Sequence, residues 1–398
     1  MNSSKTLNAA CWLVGCFLIL LPFSPLFAQE APPATGEQEA FAITHGPYLQ
    51  LLTENSVTIV WHTNRKGVAW VDYGTGENLD QKAMASQHGL IANDTTHHQI
   101  CLENLQSGTT YRYRAGTREF VDYVQQHIVN FGEEITSPEY TFTTLDPAKP
   151  AYSFAVFSDI HERAADLGAM LNLVDWTNTD FVVYNGDMIN DFMWLDQPFT
   201  GFVDISVERF ATQIPFQFVR GNHEVRGRFA RQLDTYFPLR DGRAYYAFTH
   251  GSAFFLVLDS GEDKVDSHEY YNGLTDFEAY RREQAEWVKT TMQSEAAQKA
   301  RFLVVISHIP PRNARNFSSQ DLREVMEPLL NAAGADLWLS GHTHRVAHLP
   351  PTPGANAYDL VIGATDTFTQ VQVTPEQLQV RVIQHDGKVI EEFIREAK

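Results

Sequence analysis

Along residues 41–145 apolar and polar positions alternate with a period of two. Ser56–His62 reads Ser-Val-Thr-Ile-Val-Trp-His, and Ala69–Tyr73 and Thr110–Arg114 repeat the alternation. Clusters of Gly, Asn, Asp and Ser separate these runs, so the texture predicts a β-sandwich of roughly 100 residues. Asp146-Pro-Ala-Lys-Pro150 then punctuates the chain and the pattern changes. Wholly apolar runs appear at Phe154–Phe157, Phe181–Tyr184, Phe216–Val219, Phe254–Leu258, Phe302–Ile306 and Leu337–Leu339, each short enough for a buried strand. Between several of them the apolar spacing becomes helical, over Ala164–Trp176, Asp276–Gln293 and Gln320–Ala332. From Tyr358 to Ile394 the alternation returns, as in Leu378–Ile383. An all-β domain followed by an α/β domain is the architecture this pattern predicts.

The N-terminus has a third texture. Lys5 precedes an almost wholly apolar run from Ala9 to Phe27, and Ala28 places a small residue before Gln29. Residues 1–28 therefore read as a secretory signal peptide, and the polar, Pro/Gly-containing residues 29–40 as a linker. Two other readings of the run stand. Leu13-Val14-Gly15-Cys16 matches a bacterial lipoprotein signal, with Cys16 as the lipidated terminus, and the run is nearly long enough for an uncleaved signal anchor. Export to a periplasm or beyond is the expectation, with membrane attachment only through such a lipid or anchor. The sequons at Asn93 and Asn316 matter only in a glycosylating host. Removing residues 1–28 takes Cys11 and Cys16 with them, so no intramolecular disulfide is available. Cys101, beside Leu102 and Leu105, reads as a buried small hydrophobe.

Composition adds bounds. The chain has 398 residues, 43% of them hydrophobic and 20% charged, enough for two domains with a sizeable core. A net charge of −19 argues against general binding to nucleic acid or anionic membranes. Phosphate-bearing small molecules stay open, because bound cations would invert the field locally.

The chemistry sits where the apolar runs of the α/β region end. Asp159 and His161 follow the first run, Gly186-Asp187 the second, Gly221-Asn222-His223-Glu224 the third, Ser307-His308 the fifth and Gly341-His342-Thr343-His344 the last. In open α/β sheets ligand sites gather beyond the carboxyl ends of strands, so five strand ends would deliver donors to one rim. Two carboxylates, one amide and four imidazoles can hold two metal ions side by side, with one histidine spare. Mixed imidazole and carboxylate without thiolate suits Fe, Mn or Zn. Gly186, Gly221 and Gly341 precede ligand candidates, where a missing Cβ lets the backbone turn sharply.

These five motifs, in this order, closely resemble those of the calcineurin-like metallophosphoesterase superfamily. The resemblance covers residues 150 to about 385 and implies a four-layer sandwich of two mixed sheets flanked by helices, over residues 150–398. It further implies one metal held by Asp159, His161, Asp187 and His344, and a second by Asp187, Asn222, His308 and His342, with Asp187 bridging. Residues 41–146 resemble a fibronectin type III domain, through Trp61, Tyr73-Gly74 and Leu105–Tyr113, similar to the N-terminal sandwich of purple acid phosphatases. In those enzymes a tyrosine follows the Gly-Asp motif and the first block lacks its histidine. Here that position is Asn190 and His161 is present, so a tyrosinate-to-iron colour is not expected. In many other members an Asp at that position orients the catalytic histidine, a charge that Asp191 next door could supply.

The expected activity is hydrolysis of small-molecule phosphate esters, with phosphomonoesters favoured over nucleotide or lipid-headgroup diesters. A metal-bridging hydroxide would attack phosphorus, and His223, the spare imidazole, would protonate the leaving oxygen as the catalytic general acid. Arg226, Arg228 and Arg345 follow the ligand runs but read equally as solvated surface arginines and are left out of the site. His268, in the acidic loop Gly261–Glu269, reads as solvated, with Tyr270-Tyr271 near the substrate entrance. A non-catalytic adhesion or glycan-binding role would show as lost ligands, and none of the seven is missing.

Overall fold

The computed structural model describes residues 39–397. The expected signal peptide over residues 1–28, with Cys11 and Cys16, and nearly all of the expected linker at 29–40 lie outside the described residues. Residues 41–397 belong to one compact unit.

In the N-terminal region the strand Val57–Gly74 is the spine. It pairs with Ile43–Gln50 and Thr95–Leu102 through its first half, and with Thr110–Gln125 through its second. The two runs expected as separate strands are thus one strand of 18 residues. Thr63–Lys66 does not end it; the register with Thr95–Leu102 shifts between His62 and Gly67, so the polar residues form a bulge that lets the strand change partners. Trp61 is fully buried here, its Nε1 donating to Thr117 Oγ1 at 2.8 Å. Cys101 corrects the expectation: it is exposed. Ile100 and Leu102 point inward, and strand alternation turns the residue between them to solvent.

Two mixed six-stranded sheets form the second region. The first contains Phe216–Val219, Thr179–Asn185 and Tyr152–Phe157 in parallel, followed by the antiparallel Thr367–Val373, Gln377–Gln384 and Val389–Glu396. The second contains Ala253–Val257, Phe302–Ile306, Leu337–Ser340 and Asp359–Ile362 in parallel, edged by the antiparallel Tyr246–His250 and Ala347–Leu349. Alternation sorts the central side chains. Phe154, Val156, Phe181 and Val183 meet Phe255, Val257, Val304 and Ile306 between the sheets. Ala155, Phe157, Val182 and Tyr184 face the other way, onto Leu167, Met170 and Phe202. Phe254, Leu303 and Val305 pack on Val288, Leu322 and Leu330 from the helices behind the second sheet. Both faces of each sheet are covered, which is why the strands read as continuous apolar runs.

Two helix expectations need correction. Ala164–Trp176 ends at Leu171, because Asp175 accepts from Thr177 N at 3.1 Å and Asn178 Nδ2 at 2.6 Å, a local turn that competes with the helix. Gln320–Ala332 is two helices, Phe317–Val325 and Glu327–Ala333. Asn316 starts the first three residues early, its side chain accepting from Ser319 N at 2.7 Å, and Pro328, which has no N–H, ends the ladder between them.

Candidate metal centre

The five parallel strands Tyr152–Phe157, Thr179–Asn185, Phe216–Val219, Phe302–Ile306 and Leu337–Ser340 end at one rim, across both sheets. Asn185 joins the sheets there, its amide donating to Ser307 O and Leu339 O, each at 3.2 Å. Gly341 N donates to His308 O at 2.9 Å and Asp159 N to Gly186 O at 3.0 Å, so each ligand loop is tied to its neighbour.

All seven expected ligands are brought together. Donor atoms of Asp159, His161, Asp187 and His344 lie within 4.8 Å of one another, and so do those of Asp187, His308 and His342. Within the first group His344 Nε2 is 3.5 Å from Asp159 Oδ1 and 3.3 Å from His161 Nε2. Within the second, His308 Nε2 is 3.0 Å from Asp187 Oδ2. Asn222 joins the second group through its Oδ1, 2.8 Å from His342 Nδ1. Asp187 is the member common to both.

Backbone geometry explains how short loops aim so many donors inward. Asp159, His161, Asp187, His342 and His344 all have positive φ, a region that Asp, Asn and His enter more readily than most residues. Of the three glycines, only Gly186 makes the expected turn, at φ +79°, and a Cβ there would meet the His308 ring at 2.6 Å. Gly221 and Gly341 have no such φ; their missing Cβ instead makes room for a carboxylate. A Cβ on Gly221 would meet Asp187 Oδ1 at 2.2 Å, and one on Gly341 would meet Asp159 Oδ2 at 2.5 Å.

The electrostatics fit cations. Asp159 and Asp187 are both buried, and an isolated buried carboxylate pair is costly. Burial and then the Asp187 charge push the Asp159 carboxyl up, against the opposing pull of His308. Burial would also lower the His308 imidazole, but Asp187 more than reverses this and holds it protonated well above its usual range. Asp187 is correspondingly driven low, the His308 charge overcoming its burial. Burial lowers His161 and His342 to about 4, leaving neutral rings with lone pairs to offer. His308 Nδ1 contacts Asn185 O at 2.8 Å, which directs Nε2 to the cluster, 3.0 Å from Asp187 Oδ2. A divalent ion would take the place of the proton on His308 Nε2 and satisfy the crowded carboxylates.

His223 stands beside both groups. Its Nε2 is 4.0 Å from Asp187 Oδ2, its ring meets His161 edge-on at 4.8 Å, and its backbone N donates to Asp187 Oδ1 at 3.0 Å. Asp191 Oδ1 lies 3.2 Å from His223 Nδ1, and Asn190 Oδ1 is 3.2 Å from His161 Nδ1. The two consecutive residues therefore serve two different histidines.

Three roles escaped the sequence reading. Glu224 is fully buried and accepts from the backbone N–H groups of Asp187, Met188, Ile189 and Gly221, at 2.7–3.3 Å. Its place in the Asn-His-Glu run was the available signal. Asn185 gave no signal beyond preceding Gly186. Asn316 Nδ2 lies 2.7 Å from His342 Nε2, a contact that no local pattern announces. Arg226 is not a solvated arginine: it pairs with Glu262 at 2.8 and 2.7 Å and with Asp263 at 3.1 Å. His268 caps a short turn, its Nδ1 accepting from Tyr270 N at 3.1 Å.

Comparison with known proteins matches residues 152–346 to the calcineurin-like phosphoesterase family and residues 45–144 to the purple acid phosphatase N-terminal domain. Among curated proteins, purple acid phosphatase 18 of Arabidopsis thaliana is 23% identical over 328 residues, covering 77% of this chain and 67% of that protein. Purple acid phosphatase 22 of the same plant is 24% identical over 302 residues, covering 73% and 61%. The chain thus spans about two thirds or less of the length of these relatives. Among solved structures, the purple acid phosphatase PPD1 from yellow lupin (Lupinus luteus) seeds superposes with a TM-score of 0.66 at 16% identity, over 87% of this chain and 73% of that one. A structure of PhoD superposes with a TM-score of 0.57 at 13% identity, over 86% and 91%. At these identities the structural likeness speaks for the fold: an all-β domain followed by the mixed-sheet α/β sandwich.

Proposed function

Since the chain belongs to the calcineurin-like phosphoesterases, with a purple acid phosphatase N-terminal domain in front, we propose that it is an exported hydrolase of phosphate monoesters. Residues 41–146 would be the accessory sandwich and 150–398 the catalytic domain, behind a signal peptide at 1–28. One metal ion would be held by Asp159, His161, Asp187 and His344, and a second by Asp187, Asn222, His308 and His342. When bound, such a pair supplies a water activated near neutral pH and charge stabilisation for the phosphate oxygens. The observation that carries this reading is the shared position of Asp187 between two sets of converging donors.

The chain's own residues supply the rest. His223 faces the cluster through Nε2 while Nδ1 turns to Asp191, so a proton on Nε2 can pass to the departing alkoxide. Asp191, 3.2 Å from Nδ1, steadies the imidazole. Asn190 takes the side of His161, where a coloured relative would offer a phenolate; with iron bound the protein should be colourless or weakly coloured.

Assay of the purified chain loaded with manganese, iron or zinc, on a phosphate monoester and a diester, tests the reading. Faster turnover of the monoester is expected. His223→Ala should lower kcat on an ester with a poor leaving group about 10²–10⁴-fold with metal content unchanged. Full activity of that variant on such an ester would remove His223 from the mechanism, and preference for the diester would reverse the substrate assignment.

A further inference from the structure

The segment between Leu258 and the helix Phe277–Thr291 carries none of the motifs, yet it reaches the candidate general acid. Tyr270 OH donates to Asp191 Oδ2 at 3.2 Å, while the other oxygen of that carboxylate is the one 3.2 Å from His223 Nδ1. A chain of contacts therefore runs from Tyr270 through Asp191 to His223.

Tyr270 is itself held from several sides. Its ring lies over the Arg226 guanidinium at 5.3 Å and the Lys264 ammonium at 5.6 Å, and Arg226 is fixed by its paired bonds to Glu262. Next in the chain, Tyr271 OH donates to Glu262 Oε2 at 2.8 Å. The far end of the segment is pinned where Asp266 accepts from Phe277 N and Glu278 N, both at 2.8 Å. Asp191, by contrast, is over a third exposed at its side chain and its carboxylate has no backbone N–H partner among the hydrogen bonds of the described residues. Among the described residues, the hydrogen bond that its carboxylate accepts comes from Tyr270 OH. The His223–Asp191 contact is close but not aligned as a hydrogen bond, which is common before substrate arrives.

We infer that Tyr270 is a positioning residue for the reaction: its hydroxyl fixes the Asp191 carboxylate, which holds the Nδ1–H of His223 and so keeps Nε2 and the proton it gives up turned to the leaving group. Arg226 and Lys264 hold the phenol in place by cation–π contact. This inference rests on the phosphoesterase reading of the same site.

Full-length protein loaded with metal is compared as wild type, Tyr270→Phe, His223→Ala and the double variant. The substrates are an aryl phosphate with a good leaving group and an alkyl phosphate with a poor one. Tyr270→Phe should lower kcat on the alkyl phosphate about 3–10-fold, a fraction of the general-acid contribution, and leave KM and aryl phosphate turnover within about twofold. In the His223→Ala background it should change nothing. Equal loss on both substrates, an undiminished effect without His223, or no effect on the alkyl ester would overturn the assignment. Ring ¹⁵N resonances of His223 give a readout that does not need turnover. Once Nε2 has lost its proton, a single Nδ1–H tautomer in the wild type and a mixture in Tyr270→Phe are expected, and identical tautomers overturn the proposal. If the loaded wild type hydrolyses no phosphate ester, the site reading fails, and the resonances still judge the contact chain.

Discussion

Glu224 shows what a single side chain does for this rim. It carries no substrate or metal, yet its two oxygens gather four backbone N–H groups from the Asp187 and Asn222 loops. Asp187 and His342 hold positive φ on either side of the cluster, and such residues cost on the order of 1 kcal/mol or more each unless their surroundings over-determine them. Replacing Glu224 by Ala leaves those donors buried and unpaired, so we expect a loss of about 3 kcal/mol or more in urea denaturation together with reduced metal loading. Unchanged stability would show that water can replace the carboxylate. The candidate ligands were legible because each sits next to the strand that delivers it. Tyr270 was legible only as an entrance residue, since its contact to Asp191 joins positions 79 apart.

Strand ends and the turns after them determine the site at the next scale. Buried central strands announce themselves as unbroken apolar runs, so Phe216–Val219 and Phe302–Ile306 were readable to the residue. Helix ends were not, because Asp175 and Pro328 act through local hydrogen bonding that hydrophobic spacing does not encode. Nor was the continuity of Val57–Gly74, where polar residues in a bulge imitate a loop. The turn after Phe216–Val219 is the most constrained. Gly221→Ala would drive a methyl into the Asp187 carboxylate and the Asp187 backbone N, at 2.2 and 2.5 Å, neither of which can yield without moving a candidate ligand. The variant is expected to stay folded with metal content well below wild type, measured by elemental analysis; full loading would mean that the loop relaxes freely.

Across the whole molecule, the sandwich and the α/β region share a seam of buried polar contacts. Tyr48 OH donates to Tyr236 O at 2.9 Å, Gln50 Nε2 to Phe216 O at 3.0 Å and Tyr113 OH to Thr212 O at 2.8 Å. His62 lies in this seam, with Tyr48 and His97 from its own side and Phe199 and Tyr236 from the other. Burial, and then the neighbouring His97, His45 and His98, lower His62 to about 2, and burial and His97 lower His98 to about 4. Unfolded, both rings take up a proton near pH 6.5. The unfolded chain therefore binds more protons below that pH, and stability falls as the pH drops from about 6.5 towards 4, by up to about 1.4 kcal/mol per pH unit for each ring. His62→Phe should flatten that slope in urea titrations at several pH values. An identical slope would move the acid sensitivity elsewhere.

The central claim concerns two ions that share one carboxylate, and metal stoichiometry of the reconstituted chain and three variants tests it most directly. Two ions per wild-type chain are predicted, with His344→Ala and His308→Ala each retaining one and Asp187→Ala retaining neither. Two ions still bound by Asp187→Ala, or a single ion in the wild type at saturating manganese, iron or zinc, would contradict it.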